Sequence, residues 1–161
     1  MQRPSTSLGT NEGVEVIRLA TSADTEALGR ALAPLLRPGD VVALFGDLGA
    51  GKTTLARGVL RGLGFQGDVA SPTFPIVQPY DELPLPVWHV DLYRIEHRTE
   101  LAELALDEAL EDGALLIEWP ERMGSGLWPH ALRLTLRPDG EEARALTAEV
   151  PAAWGGRWPP R

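Results

Sequence analysis

The sequence predicts an α/β protein in which a mixed, mostly parallel sheet is flanked by helices and ends in an antiparallel hairpin. Three observations support this fold class. Apolar runs of strand length alternate with segments whose apolar residues recur at helical spacing. A glycine-rich segment joins the apolar run at 40–45 to a helical pattern at 54–63. Apolar and polar residues alternate over 132–137, and a turn sequence at 137–140 leads into an antiparallel partner strand at 141–150.

The segment before the glycine-rich loop is expected to form a strand followed by a helix. Residues 14–19 have the composition of a strand, and Thr21 and Ser22 can cap the helix that follows. Apolar residues then recur on one helical face until Pro34. The proline is expected to end or kink the helix near Ala33, because its ring clashes with the preceding turn.

Beyond the loop and its helix, the pattern predicts three more strands and one more helix before the hairpin. The strands are expected at 76–80, 86–91 and 114–119, and the helix at 100–110. The resulting alternation of strands and helices is typical of a parallel sheet with connecting helices.

The glycine-rich segment matches G-x-x-x-x-G-K-[ST], the phosphate-binding loop (P-loop) of nucleotidases. Glycines let the backbone curl so that N–H groups point at phosphate oxygens, and the following helix adds its positive dipole end. Lys52 is expected to reach the β- and γ-phosphates and to act in catalysis, and the Thr53 hydroxyl to bind Mg²⁺. The nucleotide-binding residues predicted from this loop are Gly46, Asp47, Leu48, Gly49, Ala50, Gly51, Lys52, Thr53 and Thr54.

A loop with hydroxyl side chains is expected at 71–75, where prolines on either side of Thr73 prevent a regular helix. In nucleotidases, a loop after the first helix often senses the γ-phosphate. Thr73 is therefore added to the predicted nucleotide-binding residues. An ordinary extended turn explains the same residues equally well.

Two predicted strands end in a carboxylate, Asp91 and Glu118. In an open α/β sheet both would lie at the carboxyl ends of strands, where P-loop enzymes place an acid to hold Mg²⁺ or its waters. Both residues are predicted to be catalytic. In one division of roles, Glu118 holds the metal directly or through water, and Asp91 orients the attacking water or responds to the γ-phosphate. The residue pattern leaves this division open.

Several neighbouring residues admit two interpretations. His89 is interpreted as a strand histidine with a satisfied hydrogen bond, although it shares a strand face with Asp91. Trp119 either packs in the core or lines the nucleotide or partner surface. Arg94 either neutralises charge in a transition state or lies on the surface. The segment 21–25 could fold back beside an adenine base.

Composition sets limits on the class of protein. With 161 residues, 43% of them hydrophobic, one domain is expected at 13–150, with a flexible segment at 1–12 and a tail at 151–161. The chain has no cysteine and no apolar run of transmembrane length, so we expect a cytoplasmic protein without membrane contact. The formal net charge of −8 argues against direct nucleic-acid binding, which needs a basic surface.

Four motifs in this order together resemble the TsaE family (older name YjeE) of bacterial ATPases. They are GDLGAGKTT at 46–54, SPTF at 71–74, HVDLYR at 89–94 and IEWP at 117–120. The resemblance extends over 14–150, which is nearly the whole chain.

This resemblance implies a small P-loop protein that binds ATP or ADP with Mg²⁺ and hydrolyses ATP slowly. It implies action with TsaB and TsaD in forming N6-threonylcarbamoyladenosine at position 37 of tRNAs that read codons beginning with A. TsaD would carry out the transfer, the tRNA would be contacted only through the complex, and ATP would reset the complex between turnovers.

The resemblance also implies roles for individual residues. Lys52 and Thr53 would contact the phosphates and the metal, and Glu118 would lie on the metal side. Asp91 would have a catalytic or switching role, and Thr73 would belong to a switch-like loop.

Two other functions agree with the same P-loop. A small metabolite kinase would usually close an arginine-rich lid over the phosphates, and the segment 94–98 is too short for one. A nucleotide-dependent binding module without useful turnover would use the same loop as a slow ATPase. Phosphate release with and without acceptors separates the kinase, and stimulation of hydrolysis by partners separates the sensor.

Overall fold

The structure, a computed structural model, describes residues 8–11, 14–72 and 76–160. The strands in these ranges are β1 (Leu8–Asn11), β2 (Val14–Leu19), β3 (Val41–Phe45), β4 (Val77–Tyr80), β5 (Val87–Asp91), β6 (Ala114–Glu118), β7 (Leu132–Pro138) and β8 (Arg144–Glu149). The α-helices are α1 (Ser22–Leu32), α2 (Lys52–Gly62), α3 (Arg98–Glu103) and α4 (Leu106–Ala109). Three 3₁₀ segments lie at Ala33–Leu35, Pro120–Gly126 and Ala152–Trp154.

The strands form one sheet in the order β1-β2-β8-β7-β3-β6-β5-β4. The predicted mixed α/β sheet is confirmed, because the four central strands β7, β3, β6 and β5 are parallel and the flanking pairs are antiparallel. The predicted C-terminal hairpin is β7–β8. Since the carboxyl ends of parallel strands meet at one edge of the sheet, the segments that follow β3, β5 and β6 are brought together there.

Hydrophobic residues cover both faces of the sheet. Along β3, Val42 and Leu44 face the core layer that includes α1 and α2, whereas Val41 and Ala43 face the layer that includes α4 and the segment 120–126. These four β3 residues are at most 1% exposed, as expected for a strand buried on both faces. The P-loop therefore follows a strand that is buried on both faces of the sheet, which gives it a rigid base.

The helices α1 and α2 approach each other closely through glycines on both helices. A Cβ atom added at Gly58 would collide with the carbonyl oxygen of Glu26, and one added at Gly29 would collide with that of Leu55. At the start of α1, Thr21 Oγ1 accepts the Asp24 N–H at 3.1 Å, which confirms the predicted cap. The close packing fixes the position of α2, whose first turn carries the predicted phosphate-binding lysine.

The predicted single helix at 100–110 is wrong. The structure has two short helices, α3 and α4, separated by Ala105 with a left-handed φ of 52°. A continuous helix would place Leu101 and Leu106 on different sides, whereas the break lets both pack in the same core layer. Helix α3 also begins earlier than predicted, because the Glu100 carboxylate accepts the N–H groups of Glu96 and His97.

Both ends of the chain contribute to the fold in the described ranges. Leu8–Asn11, within the segment predicted to be flexible, pair with β2. The segment predicted as a tail packs against the domain instead, because Trp154 is fully buried and Arg157 forms an ion pair with Asp40. None of the helices in the described ranges has both the length and the apolar character needed to span a bilayer.

Candidate nucleotide-binding site

The glycine-rich segment forms the turn between β3 and α2, as the sequence predicts. Gly46, Gly49 and Gly51 have φ angles of 147°, 79° and 104°, a region that favours glycine. A Cβ atom at Gly46 would lie 2.7 Å from the carbonyl oxygen of Leu136 on β7, so only glycine fits there without displacing the strand. Helix α2 begins at Lys52, and its first N–H groups have no partner within the helix. This backbone can receive an anion.

The Lys52 side chain lies between the P-loop and an indole ring. Its Nζ donates a hydrogen bond to the carbonyl oxygen of Gly46 and lies 3.7 Å from the ring centroid of Trp119. Burial lowers the pKa of the Lys52 ammonium, and the negative charges of nearby carboxylates, Glu118 first among them, oppose this shift. A phosphate group would add a direct anionic partner for this buried cation.

Trp119 lines the P-loop and also packs on the core layer below it. It follows β6 with a left-handed φ of 58°, so the chain turns sharply at the end of the strand. Its ring stacks on Tyr93, with centroids 4.8 Å apart and an angle of 29° between the planes. Both interpretations of Trp119 from the sequence therefore describe part of its environment.

Glu118 is a buried carboxylate at the centre of a polar cluster. The Thr53 hydroxyl lies 3.2 Å from each of its two oxygens, Ser71 Oγ lies 3.4 Å from Oε2, and His89 Nε2 lies 2.6 Å from Oε2. Glu118 is 3% exposed and His89 is fully buried. The structure thus brings together the threonine and the glutamate that the sequence assigns to the metal, and both offer the hard oxygen atoms that Mg²⁺ prefers.

Asp91 lies beside Glu118, since the two residues are paired in the register of β5 and β6. Its Oδ2 accepts the Ser71 hydroxyl at 2.7 Å, and its Oδ1 accepts the Tyr93 N–H at 2.9 Å. Ser71 therefore connects the start of the predicted hydroxyl loop to both carboxylates. Thr73 lies outside the described residues, so its role stays a prediction.

Arg144 is a residue of this site that the sequence reasoning missed. It opens β8, and its guanidinium donates to two P-loop carbonyls, Ala50 O at 2.9 Å and Gly49 O at 3.0 Å. Because the C=O and N–H of a trans peptide point in opposite directions, the Gly51 N–H is turned away from Arg144. No motif marks this arginine, and only the position of the β7–β8 hairpin beside β3 would have indicated it.

A cavity of about 260 Å³ is bounded by the P-loop and the groups just described. Its lining includes Lys52, Thr53, Asp91, Glu118, Trp119 and Arg144. A larger cavity of about 660 Å³ lies beside β4 and also includes Ser71, but none of the described lysine and arginine residues lines it. Phosphate chemistry therefore points to the smaller cavity.

The segment 21–25, which the sequence suggested only as one that could fold back beside an adenine base, is close to the P-loop. Ser22 and Thr25 line a small cavity of about 50 Å³ together with Gly51, Thr54, Glu142 and Arg144. The structure places this segment next to the loop, and contact with adenine is left open. Arg94 is exposed and does not line the P-loop cavity.

The fold and this loop place the protein among α/β proteins of P-loop nucleotidase-like architecture. A sequence model described as "Threonylcarbamoyl adenosine biosynthesis protein TsaE" matches residues 19–146. The chain therefore belongs to the TsaE family, which confirms the resemblance found in its motifs.

Individual relatives agree with this assignment. The chain is 38% identical over 131 residues to a Bacillus subtilis (strain 168) protein, covering 81% of this chain and 82% of that protein. It is 44% identical over 135 residues to a Streptomyces coelicolor protein, covering 81% and 91% respectively. Both relatives are named "tRNA threonylcarbamoyladenosine biosynthesis protein TsaE".

A solved structure shows the same fold. It is titled "Crystal structure of Bacillus subtilus YdiB", and it is 31% identical with a TM-score of 0.71. The match covers 89% of this chain and 87% of the other. The similarity therefore extends through the sheet and its helices as well as the motifs.

Proposed function

We propose that this protein is an accessory ATPase of tRNA N6-threonylcarbamoyladenosine biosynthesis. It binds ATP or ADP with Mg²⁺, hydrolyses ATP slowly and acts in the cytoplasm with TsaB and TsaD on tRNAs that read codons starting with A. The observation that carries the nucleotide part is the meeting of the P-loop, Lys52 and the Thr53–Glu118 pair in one cavity. Membership of the TsaE family supports the tRNA part.

The residues present fit a magnesium ion bound with a nucleotide. In the described part of the chain, no group of three or more His, Cys, Asp or Glu side chains could hold a metal by itself. Mg²⁺ usually keeps several waters and takes further ligands from substrate phosphates, so a hydroxyl and one carboxylate suffice. Thr53 and Glu118 would hold the ion directly or through water. When bound, it would neutralise negative charge on the phosphates.

The two carboxylates occupy different surroundings, which supports a division of roles. Glu118 is buried and contacts the Thr53 hydroxyl, which supports a role for it on the metal side. Asp91 is half-buried and accepts a hydrogen bond from Ser71, at the start of the hydroxyl loop. Asp91 would orient the attacking water or respond to the γ-phosphate, while Lys52 would neutralise the phosphate oxygens.

The acidic balance of the chain supports a role through protein partners. With a formal net charge of −8, the protein lacks the excess of positive charge that direct tRNA binding needs. In this proposal TsaB and TsaD hold the tRNA, and TsaD performs the transfer. A component that docks on other proteins needs no basic surface.

The test is ATP hydrolysis by the protein alone and then with TsaB and TsaD, in the presence and absence of tRNA. Low basal turnover that rises with the partners is expected. Nucleotide binding without any response to the partners would contradict the ATPase role and favour a nucleotide sensor. Transfer of phosphate to a small-molecule acceptor would instead identify a kinase.

A further inference from the structure

We infer that His89 is a positioning residue that fixes the Glu118 carboxylate for the magnesium side of the site. Its imidazole engages Oε2, so that Oε1 is left beside Thr53 for the ion or one of its waters. This inference rests on the proposed binding of a magnesium nucleotide. It assigns a role to a residue that the sequence suggested only as a strand histidine with a satisfied hydrogen bond.

Within the described ranges, the His89 ring makes one polar contact, and it does so in a fully buried position. It lies on β5, and its Nε2 is 2.6 Å from Glu118 Oε2. Because an ionised carboxylate only accepts hydrogen bonds, the Nε2 atom carries the hydrogen. In the described part of the chain, the buried Nδ1 atom has no hydrogen-bond partner.

Packing alone does not explain a histidine at this position. Val87, two residues earlier on the same strand face, is also fully buried and is apolar. An imidazole with one unpartnered nitrogen costs free energy there, whereas a leucine or phenylalanine would not. The bond to Glu118 is therefore the chemical reason for His89.

The two oxygens of Glu118 differ in the donors that surround them. Oε2 has the His89 imidazole at 2.6 Å, the Thr53 hydroxyl at 3.2 Å and the Ser71 hydroxyl at 3.4 Å. Among the described residues, Oε1 has the Thr53 hydroxyl alone, at 3.2 Å. Oε1 therefore keeps more unused acceptor capacity than Oε2.

A carboxylate held in this way loses little rotational freedom when an ion binds. Partners that orient a metal-binding side chain typically change metal affinity by about 10–100-fold when they are removed. His89 acts through Glu118, so its loss should affect the magnesium-dependent part of nucleotide binding and leave the P-loop contacts intact.

The experiment compares His89→Phe, which keeps a flat ring but loses the donor, with His89→Gln, whose amide nitrogen can replace Nε2. ADP and ATP affinities are measured by calorimetry in Mg²⁺ and in EDTA. We expect His89→Phe to lower the gain in affinity on adding Mg²⁺ by about tenfold, with the EDTA affinity unchanged, and His89→Gln to keep most of the gain. In a Glu118→Gln background, His89→Phe should have no further effect.

The outcomes distinguish this inference from the proposed function. If the unmodified protein binds neither nucleotide, the proposed function fails and the inference fails with it. Two other results overturn only the inference. In the first, Mg²⁺ raises the nucleotide affinity of the unmodified protein and of His89→Phe by the same factor. In the second, His89→Phe loses nucleotide affinity equally in Mg²⁺ and in EDTA.

A measurement on the unmodified protein covers the case in which His89→Phe does not fold. In NMR spectra of the imidazole groups, the Nε2-bound proton of His89 should be protected from exchange both with ADP alone and with ADP and Mg²⁺. Loss of this proton signal when Mg²⁺ is added would overturn the inference, because the bond to Glu118 would then be absent in the magnesium complex.

Discussion

At the scale of single residues, the site holds charged groups in buried positions before any ligand is bound. Lys52 is the one lysine among the chain's 15 lysine and arginine residues, and it is 4% exposed. All the other basic residues counted here are arginines. At position 52, the compact ammonium of lysine fits between the loop carbonyl of Gly46 and the ring of Trp119. Burial lowers its pKa, so the ligand-free protein holds this charge at a cost that a bound phosphate would remove.

Replacement of Lys52 by alanine is expected to abolish tight nucleotide binding. The β- and γ-phosphates would lose charge-assisted hydrogen bonds worth about 1.5–3 kcal/mol each, so ATP affinity should fall about a hundredfold or more. Calorimetric titration with ATP and ADP checks this. Arg57→Ala, which removes one positive charge from the next part of α2, is the matched control and should bind normally. Unchanged ATP affinity in Lys52→Ala would refute the placement.

The lowered pKa of Lys52 also predicts a pH dependence of stability. The unfolded chain keeps this proton up to the ordinary value of 10.5, whereas the folded chain releases it at lower pH. The unfolded state therefore binds more protons in this window, and the free energy of unfolding contributed by Lys52 rises with pH until 10.5 is passed. Chemical denaturation of the ligand-free protein at increasing pH, up to 10.5, should show this rise, and Lys52→Met should lack it. Parallel profiles would contradict the prediction.

Replacement of Glu118 by alanine should weaken magnesium-dependent nucleotide binding more than magnesium-independent binding. The carboxylate lies beside the Thr53 hydroxyl, on the side assigned to the ion. Affinities for ADP in Mg²⁺ and in EDTA give the comparison, and loss of a carboxylate that contacts the ion or its water is expected to cost about tenfold or more in Mg²⁺. Equal losses in both conditions would count against a metal role.

At the scale of elements, the P-loop depends on a hairpin that is distant in the sequence. Arg144 at the start of β8 binds the carbonyls of Gly49 and Ala50, so the β7–β8 hairpin supports the loop from outside. Motif and periodicity predicted β3, the loop and α2, because local sequence determines them. They did not predict Arg144, because the order of strands in a sheet depends on long-range pairing that no local pattern records. The break at Ala105 was missed for a related reason, since tertiary packing of Leu106 decides it.

Replacement of Arg144 by methionine is expected to lower ADP affinity about tenfold, equally in Mg²⁺ and in EDTA. Two loop carbonyls lose charge-assisted hydrogen bonds worth about 1.5–3 kcal/mol each. The nucleotide-free loop becomes less ordered as a result, and the free energy needed to order it again on binding lowers the affinity. The equal loss distinguishes this variant from Glu118→Ala. Arg133→Met is the control on β7, because its ion pair with Glu149 is exposed and 4.0 Å long. An Arg144→Met protein with unchanged ADP affinity would show that the hairpin does not hold the loop.

At the scale of the whole molecule, the C-terminal segment around Trp154 and Arg157 packs at the end of β3 that is opposite the P-loop. Asp40 precedes β3 and is 5% exposed, and it receives two hydrogen bonds from Arg157, at 2.7 and 3.1 Å. The Arg157 guanidinium lies 3.9 Å from the ring centroid of Trp154, which is fully buried. Sequence reasoning treated this segment as a tail, because a lone arginine and tryptophan among glycines and prolines have no periodicity.

Replacement of Arg157 by alanine is expected to destabilise the protein by about 3 kcal/mol or more, because Asp40 would stay buried without its charged partner. Urea denaturation measures this, and nucleotide affinity should be unchanged since the pair lies at the opposite end of β3 from the P-loop. Asp40 also accepts the Arg37 N–H at 2.7 Å, so an Asp40→Asn, Arg157→Ala double variant should recover part of the lost stability by removing the unpaired charge. If the single variant loses less than about 0.5 kcal/mol, which is typical of exposed surface changes, the segment contributes little and the tail interpretation holds after all. If nucleotide affinity falls with stability, the base of β3 and the P-loop are coupled through the strand.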